Sequence, residues 1–111
     1  MGVGTHVLVE FYDCPTEKLC RVHAVRELMM RIIEEAGLSS VGEKFHQFEP
    51  AGVTGIVLLS ESHFSIHTWP EKHVMAADIF CCSGRQAAFR GFDLLKKHFQ
   101  PRKVRKRIIE R

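Results

Sequence analysis

Residues 5–13, THVLVEFYD, alternate along the chain: Val7, Val9 and Phe11 fall on one side, Leu8, Glu10 and Tyr12 on the other. A period of two with β-branched residues predicts a strand. Cys14-Pro15-Thr16-Glu17 ends it, and Thr16 is the expected cap of the helix that follows. Leu19, Val22, Val25, Leu28, Met29, Ile32 and Ile33 recur at helical spacing, and Gly37 stands just past the end, where a left-handed backbone is favoured. Residues 41–48, VGEKFHQF, predict a second strand, and Glu49-Pro50-Ala51-Gly52 a turn. Residues 55–59, GIVLL, form a short apolar run that predicts a central strand. Residues 63–69 put Phe64 and Ile66 on one face and His63, Ser65 and His67 on the other, and Pro70 closes the segment. Residues 75–81 predict a further strand. Ser83 is expected to cap a helix over about 85–99, with Phe89, Phe92, Leu95 and Phe99 along one stripe, and Pro101 stops it. Val104, Ile108 and Ile109 mark a last, strongly basic strand. Two helices and about six mostly antiparallel strands predict an α+β fold, a two-layer α/β sandwich with both helices on one face of the sheet.

A chain of 111 residues leaves room for one small domain with a modest core, to which dimerisation would add buried surface. With 45% hydrophobic and 26% charged residues it is globular rather than disordered. No apolar run approaches the roughly 20 residues that span a bilayer, so no membrane association is expected. The N-terminus lacks a basic start followed by an apolar stretch, and His6 stands where a myristoylation motif needs Ser or Thr. A cytoplasmic protein is the expectation. The net charge of +3 does not by itself imply a nucleic-acid partner. Arg102, Lys103, Arg105, Lys106, Arg107 and Arg111 crowd the C-terminus without interleaved aromatics or a reading motif, as on a solvated edge strand. Cys14, Cys20, Cys81 and Cys82 read as thiols, and their spacing matches no zinc motif. His63 and His67 are four apart, but Phe64 stands where HExxH requires Glu, so no metal is expected.

The chemistry is concentrated in residues 60–71, SESHFSIHTWPE, where hydroxyls, imidazoles and carboxylates interrupt apolar strands. Such a cluster is costly unless paired or functional. This segment, with the downstream Ala77-Asp78-Ile79-Phe80-Cys81-Cys82, the opening HVLVEFYDC, FHQF at 45–48 and the run GVTGIVLLSES, resembles the short prokaryotic S-adenosylmethionine decarboxylase proenzymes over nearly the whole chain.

The resemblance implies an enzyme without pyridoxal phosphate or metal, which makes a pyruvoyl group from its own serine. Cleavage is expected between Glu61 and Ser62, giving a β chain 1–61 and an α chain 62–111. The Ser62 hydroxyl would attack the Glu61 carbonyl and convert the amide to an ester. Thr54 matches a hydroxyl that stabilises the oxyanion. His67 matches the base that removes the Ser62 α-proton. The pyruvoyl ketone would then take the substrate amine as a Schiff base and act as electron sink for loss of carbon dioxide. Cys82 matches the acid that reprotonates the substrate α-carbon. The implied substrate is S-adenosylmethionine and the implied pathway is polyamine (spermidine) synthesis. Phe48 and Phe64 are candidate walls for the adenine or sulfonium, Glu71 for the ribose hydroxyls, and Glu10 as a nearby charge. A homodimer of processed protomers, with sites near its interface, is implied as well.

The chain departs from the family pattern in places. Cys81-Cys82-Ser83-Gly84 stands where a single Thr-Cys-Gly is usual, so Cys81 competes with Cys82 for the donor role. Lys72-His73 replaces an aromatic-glycine pair, and Ala51 a tyrosine. Arginine or ornithine decarboxylation is the alternative within the class, and a non-catalytic interaction module the alternative outside it. Read without the family, Ser62 is a turn serine, His67 a satisfied core histidine, Phe48 and Phe64 core, Glu71 a surface ion-pair partner, and Trp69 core or interface packing.

Overall fold

The computed structural model describes residues 2–111. Strands β1 (Thr5–Tyr12), β2 (Ser40–Gln47), β3 (Val53–Leu59), β4 (Ser62–Trp69), β5 (Val74–Cys81) and β6 (Lys103–Glu110) are joined with helices α1 (Val22–Glu35) and α2 (Arg85–Phe99). The six strands make one sheet in the order β2-β3-β4-β5-β1-β6, and every pairing is antiparallel. Both helices pack on the same sheet face, so the α+β sandwich expected from the pattern is the architecture found. No helix among the described residues is long and apolar enough to cross a membrane.

The covered face is built by alternation. Val7, Val9 and Phe11 from β1, Val57 and Leu59 from β3, Phe64 and Ile66 from β4, and Met75, Ile79 and Cys81 from β5 are buried. Against them lie Val25, Met29, Ile32 and Ile33 of α1 and Ala88, Phe92, Leu95 and Phe99 of α2. Each fully buried side chain of this size contributes about 1.5–3 kcal/mol. α2 comes so close to β5 that a Cβ on Gly91 would meet Ile79 Cδ1 at 2.6 Å. Phe89, expected on the buried stripe, instead sits half-buried at the helix edge beneath the Arg85 guanidinium, because the helix turns Ala88 and Gly91 toward the sheet.

Both helix starts differ from expectation. Thr16 opens a 3-10 turn over Thr16–Lys18 and makes no cap bond; its hydroxyl meets His73 Nδ1 at 2.7 Å. α1 begins after Arg21, and its Val22 N–H donates to Gln47 Oε1 of β2 at 2.7 Å. α2 starts after Gly84, whose φ of 130° suits glycine, and Ser83 caps nothing. Gly37 behaves as predicted: at φ 74° it donates to Glu34 while Leu38 donates to Ile33, the Schellman closure.

The other face has no helix over it. Its residues line up in rows across the strands. One row runs Arg105, Glu10, Ala76, His67, Thr54, His46, the next Arg107, Leu8, Asp78, Ser65, Ile56, Lys44, and the third Ile109, His6, Phe80, His63, Leu58. β6 is the exposed basic edge strand the composition suggested.

Candidate active site

β3 and β4 are joined by two exposed residues, Ser60 and Glu61, so Ser62 is the first residue of β4, half-buried and paired with Leu59 and Cys81. A two-residue hairpin loop presents the Glu61–Ser62 bond at the tip of the sheet. The Cys82 N–H donates to the Glu61 carbonyl at 3.2 Å, withdrawing charge from the carbon next to Ser62. The side chains of Cys81 and Cys82 part company. Cys81 is fully buried beside Ser62, and burial pushes its thiol up, against a lowering by the Ser62 hydroxyl. Cys82 is exposed, over a shallow depression lined also by Thr5, Arg85 and Glu110. All four cysteines are free thiols.

The other half of the expected site lies at the opposite end of β4. Thr54 Oγ1 and His67 Nδ1 are 3.0 Å apart on adjacent strands. With Phe48, Ala51, Gly52, Thr68, Trp69 and Glu71 they line a cavity of about 400 Å³, within the range of small-ligand sites. Gln47 shapes this cavity: its Nε2 reaches the carbonyls of Cys20, Phe48 and Gly52, pinning the turn that carries Phe48. The turn contains a cis Glu49–Pro50 bond. Glu71 is held on a 3-10 turn over Pro70–Lys72. That turn closes through His73, left-handed at φ 58°, whose ring meets Thr16 and whose carbonyl accepts from the Cys14 N–H. Glycine is the natural residue for that backbone.

Five residues of strand separate Ser62 from His67, a span of roughly 16 Å at about 3.3 Å per residue. The two residues also differ in parity, Ser62 sharing the face of Cys81 and His67 that of His63 and Trp69. Within one chain His67 therefore does not reach Ser62. The structure brings together Glu61, Ser62, Cys81 and Cys82 at one end, and Phe48, Thr54, His67 and Glu71 at the other.

One expectation is corrected and another narrowed. Phe64 is 1% exposed and packs in the core between sheet and helices, because it shares parity with Ile66; it walls no cavity. Of the two readings of Trp69, core or interface packing, the first is removed: it is 40% exposed, its ring 6.3 Å from that of His67 on the open face. Glu10 lies in the same row as His67, two strands away across Ala76, and pairs with Arg105 at 3.5 Å.

Sequence reasoning passed over one cluster. Asp78 of β5 accepts hydrogen bonds from His6, His63 and Ser65, and the ligand-type atoms of His6, His63 and Asp78 lie within 4.8 Å of one another. Among the described residues this is the group with the makings of a metal site. The available signal was Asp78, the one charged position in the otherwise apolar strand β5, with His6 and His63 at outward positions of the strands on either side.

With this geometry in view, likeness to known proteins decides the family. The S-adenosylmethionine decarboxylase family profile matches residues 5–111. The chain belongs to the S-adenosylmethionine decarboxylase family. It is 39% identical over 109 residues to the S-adenosylmethionine decarboxylase proenzyme of Persephonella marina, covering 98% of this chain and 82% of that one. It is 39% identical over 111 residues to the proenzyme of Archaeoglobus fulgidus, covering 100% and 99%. The crystal structure of the adenosylmethionine decarboxylase of Aquifex aeolicus superposes with a TM-score of 0.95 at 34% identity, over 99% of this chain and 91% of that one. A Trypanosoma brucei AdoMetDC monomer shares the fold, at a TM-score of 0.73 and 14% identity, over 94% of this chain and 45% of that one. Membership makes the chain a decarboxylase, a carboxy-lyase.

Proposed function

We propose that this S-adenosylmethionine decarboxylase matures by cutting its own Glu61–Ser62 bond, and that each of its active sites is shared between two copies of the chain. The observation that carries the second part is the roughly 16 Å of strand between Ser62 and the Thr54–His67 pair. Proton transfer needs contact at about 3 Å or through one water. A second copy, with its open face on this one, can bring its far end to this chain's hairpin tip. The open face suits such cover: Ile56, Leu58, Trp69 and Ile109 are exposed on it.

Ser62 Oγ adds to the Glu61 carbonyl, the Cys82 N–H steadies the oxyanion, the hydroxyl proton passes to the Ser62 nitrogen, and collapse breaks the C–N bond to leave an ester and a free amine on residue 62. The Thr54 hydroxyl of the partner subunit donates to the same oxyanion while its oxygen accepts from Nδ1–H of the partner subunit's His67. That tautomer leaves Nε2 of the partner subunit's His67 free to take the Ser62 α-proton, and the Glu61 carboxylate departs as the ester eliminates. Water then releases ammonia, and residue 62 ends as a pyruvoyl group on the α chain 62–111. The residues present fit that group: the serine follows a polarised carbonyl at an exposed turn, with two thiols beside it. Once formed, the group supplies an electron sink for loss of carbon dioxide. The Cys82 thiol, exposed on the hairpin side, delivers the proton to the substrate α-carbon. Phe48 and Trp69 offer aromatic faces to a sulfonium and an adenine, and Glu71 offers acceptors to ribose hydroxyls. The product is decarboxylated S-adenosylmethionine for polyamine synthesis. The cytoplasm, where thiols stay reduced, is the proposed compartment.

The test is a mixture. Ser62→Ala and His67→Ala chains, each inactive alone, are unfolded together, refolded and followed by intact mass. Sharing between copies predicts that His67→Ala chains are cut into 1–61 and 62–111 only when mixed. If the mixture stays as uncut as its parts while the wild-type chain is cut, sharing is wrong. If the wild-type chain itself stays whole, self-cleavage is wrong.

A further inference from the structure

The reaction as derived uses neither His6, Ser65 nor Asp78, yet these three and His63 form the most tightly bonded polar cluster on the open face. Asp78 Oδ2 accepts from His6 Nε2 at 2.5 Å and from His63 Nε2 at 3.3 Å, and the Ser65 hydroxyl donates to Oδ1. Strand order produces this convergence. β5 lies between β4 and β1, Ser65 stands directly across from Asp78, and both histidines stand across from Phe80, one diagonal away from the carboxylate. The Phe80 ring packs against both imidazoles, with centroids 5.7 Å from His6 and 5.9 Å from His63. The side chains of His6 and Asp78 are only 18% and 20% exposed. Burial raises the Asp78 pKa, but the bonds from Ser65, His6 and His63 outweigh it and hold the carboxyl below its usual range.

We propose that His6, Asp78 and Ser65 are positioning residues that anchor His63, and through it the reacting end of the α chain. This rests on the cleavage reading above. Before cleavage, residue 62 is held on both sides by the chain. Afterwards it ends a strand and hangs from the His63 amide. Chain ends fray unless tied down. The His63 side chain ties this one to β5 through Asp78, and the same carboxylate reaches His6. His6 belongs to 1–61 while His63, Ser65 and Asp78 belong to 62–111, so one carboxylate bonds both products. A displacement of about 1 Å at a reacting group costs on the order of a hundredfold in rate.

The experiment compares Asp78→Asn, His63→Ala and His63→Gln, whose amide can still donate to Asp78, in the otherwise native chain and in Ser62→Ala. Backbone hydrogen exchange is read at residues 63–66, together with kcat and KM per pyruvoyl-bearing chain. Asp78→Asn and His63→Ala should speed that exchange about tenfold, more in cut than in uncut protein. They should lower kcat by about ten- to a hundredfold with KM within about threefold, and His63→Gln should recover most of the loss. Exchange at 63–66 unchanged by Asp78→Asn overturns the anchor. So does an unchanged kcat, or a bound divalent metal whose removal alone reproduces the loss. A wild-type chain that is never cut ends the cleavage reading, and exchange in the intact chain then still decides whether Asp78 holds the strand end.

Discussion

Phe64 and His67 are three residues apart on one strand and meet opposite surroundings. Phe64 turns toward the helices and is 1% exposed; His67 turns away from them, exposed, with Thr54 and Trp69 as neighbours. The contrast holds for the whole sheet. The covered side is mostly apolar, with Thr5 and Thr68 buried among its side chains and Ser62 at its edge, at the hairpin tip. The bare side carries imidazoles, carboxylates, a tryptophan and exposed aliphatics. Packing thus dominates one face of the strands and exposed polar groups the other, with Ser62 at the tip where the covered face ends.

The sharpest way to break this division is to truncate both residues. Phe64→Ala should cost about 3–5 kcal/mol, lowering the melting temperature by on the order of 15–30 °C for a domain of this size. His67→Ala should leave the melting temperature within about 3 °C while stopping maturation at an ester that hydroxylamine cuts. A similar fall in melting temperature for both would dissolve the distinction. Next in size, Leu58→Asp buries a charge wherever a second copy covers the bare face. Sedimentation should show it shifting the protein to monomer, with maturation lost and the helix signal in circular dichroism kept. The two thiols divide along the same line. Cys82→Ala should be cut normally but lose turnover by about a hundredfold or more, whereas Cys81→Ala should act through packing and keep turnover within about fivefold. The reverse result assigns the donor to Cys81.

Smaller still, Glu71→Gln should raise KM for S-adenosylmethionine about tenfold, with kcat little changed and the melt unmoved. The smallest expected effect is on acid stability. The folded-state pKa of Asp78 is depressed, so its contribution is fully present above the unfolded value of about 3.9 and is lost as pH falls through the lower folded one. Urea melts between pH 5 and 2.5 should therefore fall less steeply for Asp78→Asn than for the wild-type chain.

The covered face was legible because burial on one side writes itself as a period of two: Val7, Val9 and Phe11 needed no further information. The parity that set Phe64 beside Ile66 already assigned it to the core, against its reading as a substrate wall. The start of α1 was not legible, because the acceptor for its first N–H is Gln47, from another strand, rather than the nearby Thr16. At the site, resemblance assigned Ser62 and His67 their roles without a distance. The strand spacing between them contained the distance and the opposite parity. The cover proposed for the bare face is a second copy, and nothing in a single chain's pattern records where that copy would sit.

The strand order has a consequence for how the enzyme is made. In the proposed cut after Glu61, β1, β2 and β3 would belong to one polypeptide and β4, β5 and β6 to the other, yet across the sheet they alternate: two from the first, two from the second, then one of each. The junctions β3–β4, β5–β1 and β1–β6 all become intermolecular. The precursor can find this arrangement as a unimolecular process. The mature pair, if unfolded, faces a second-order search with interleaved partners, at a rate that falls with dilution. The proposed cleavage would thus leave a fold whose persistence is governed by the rate of unfolding.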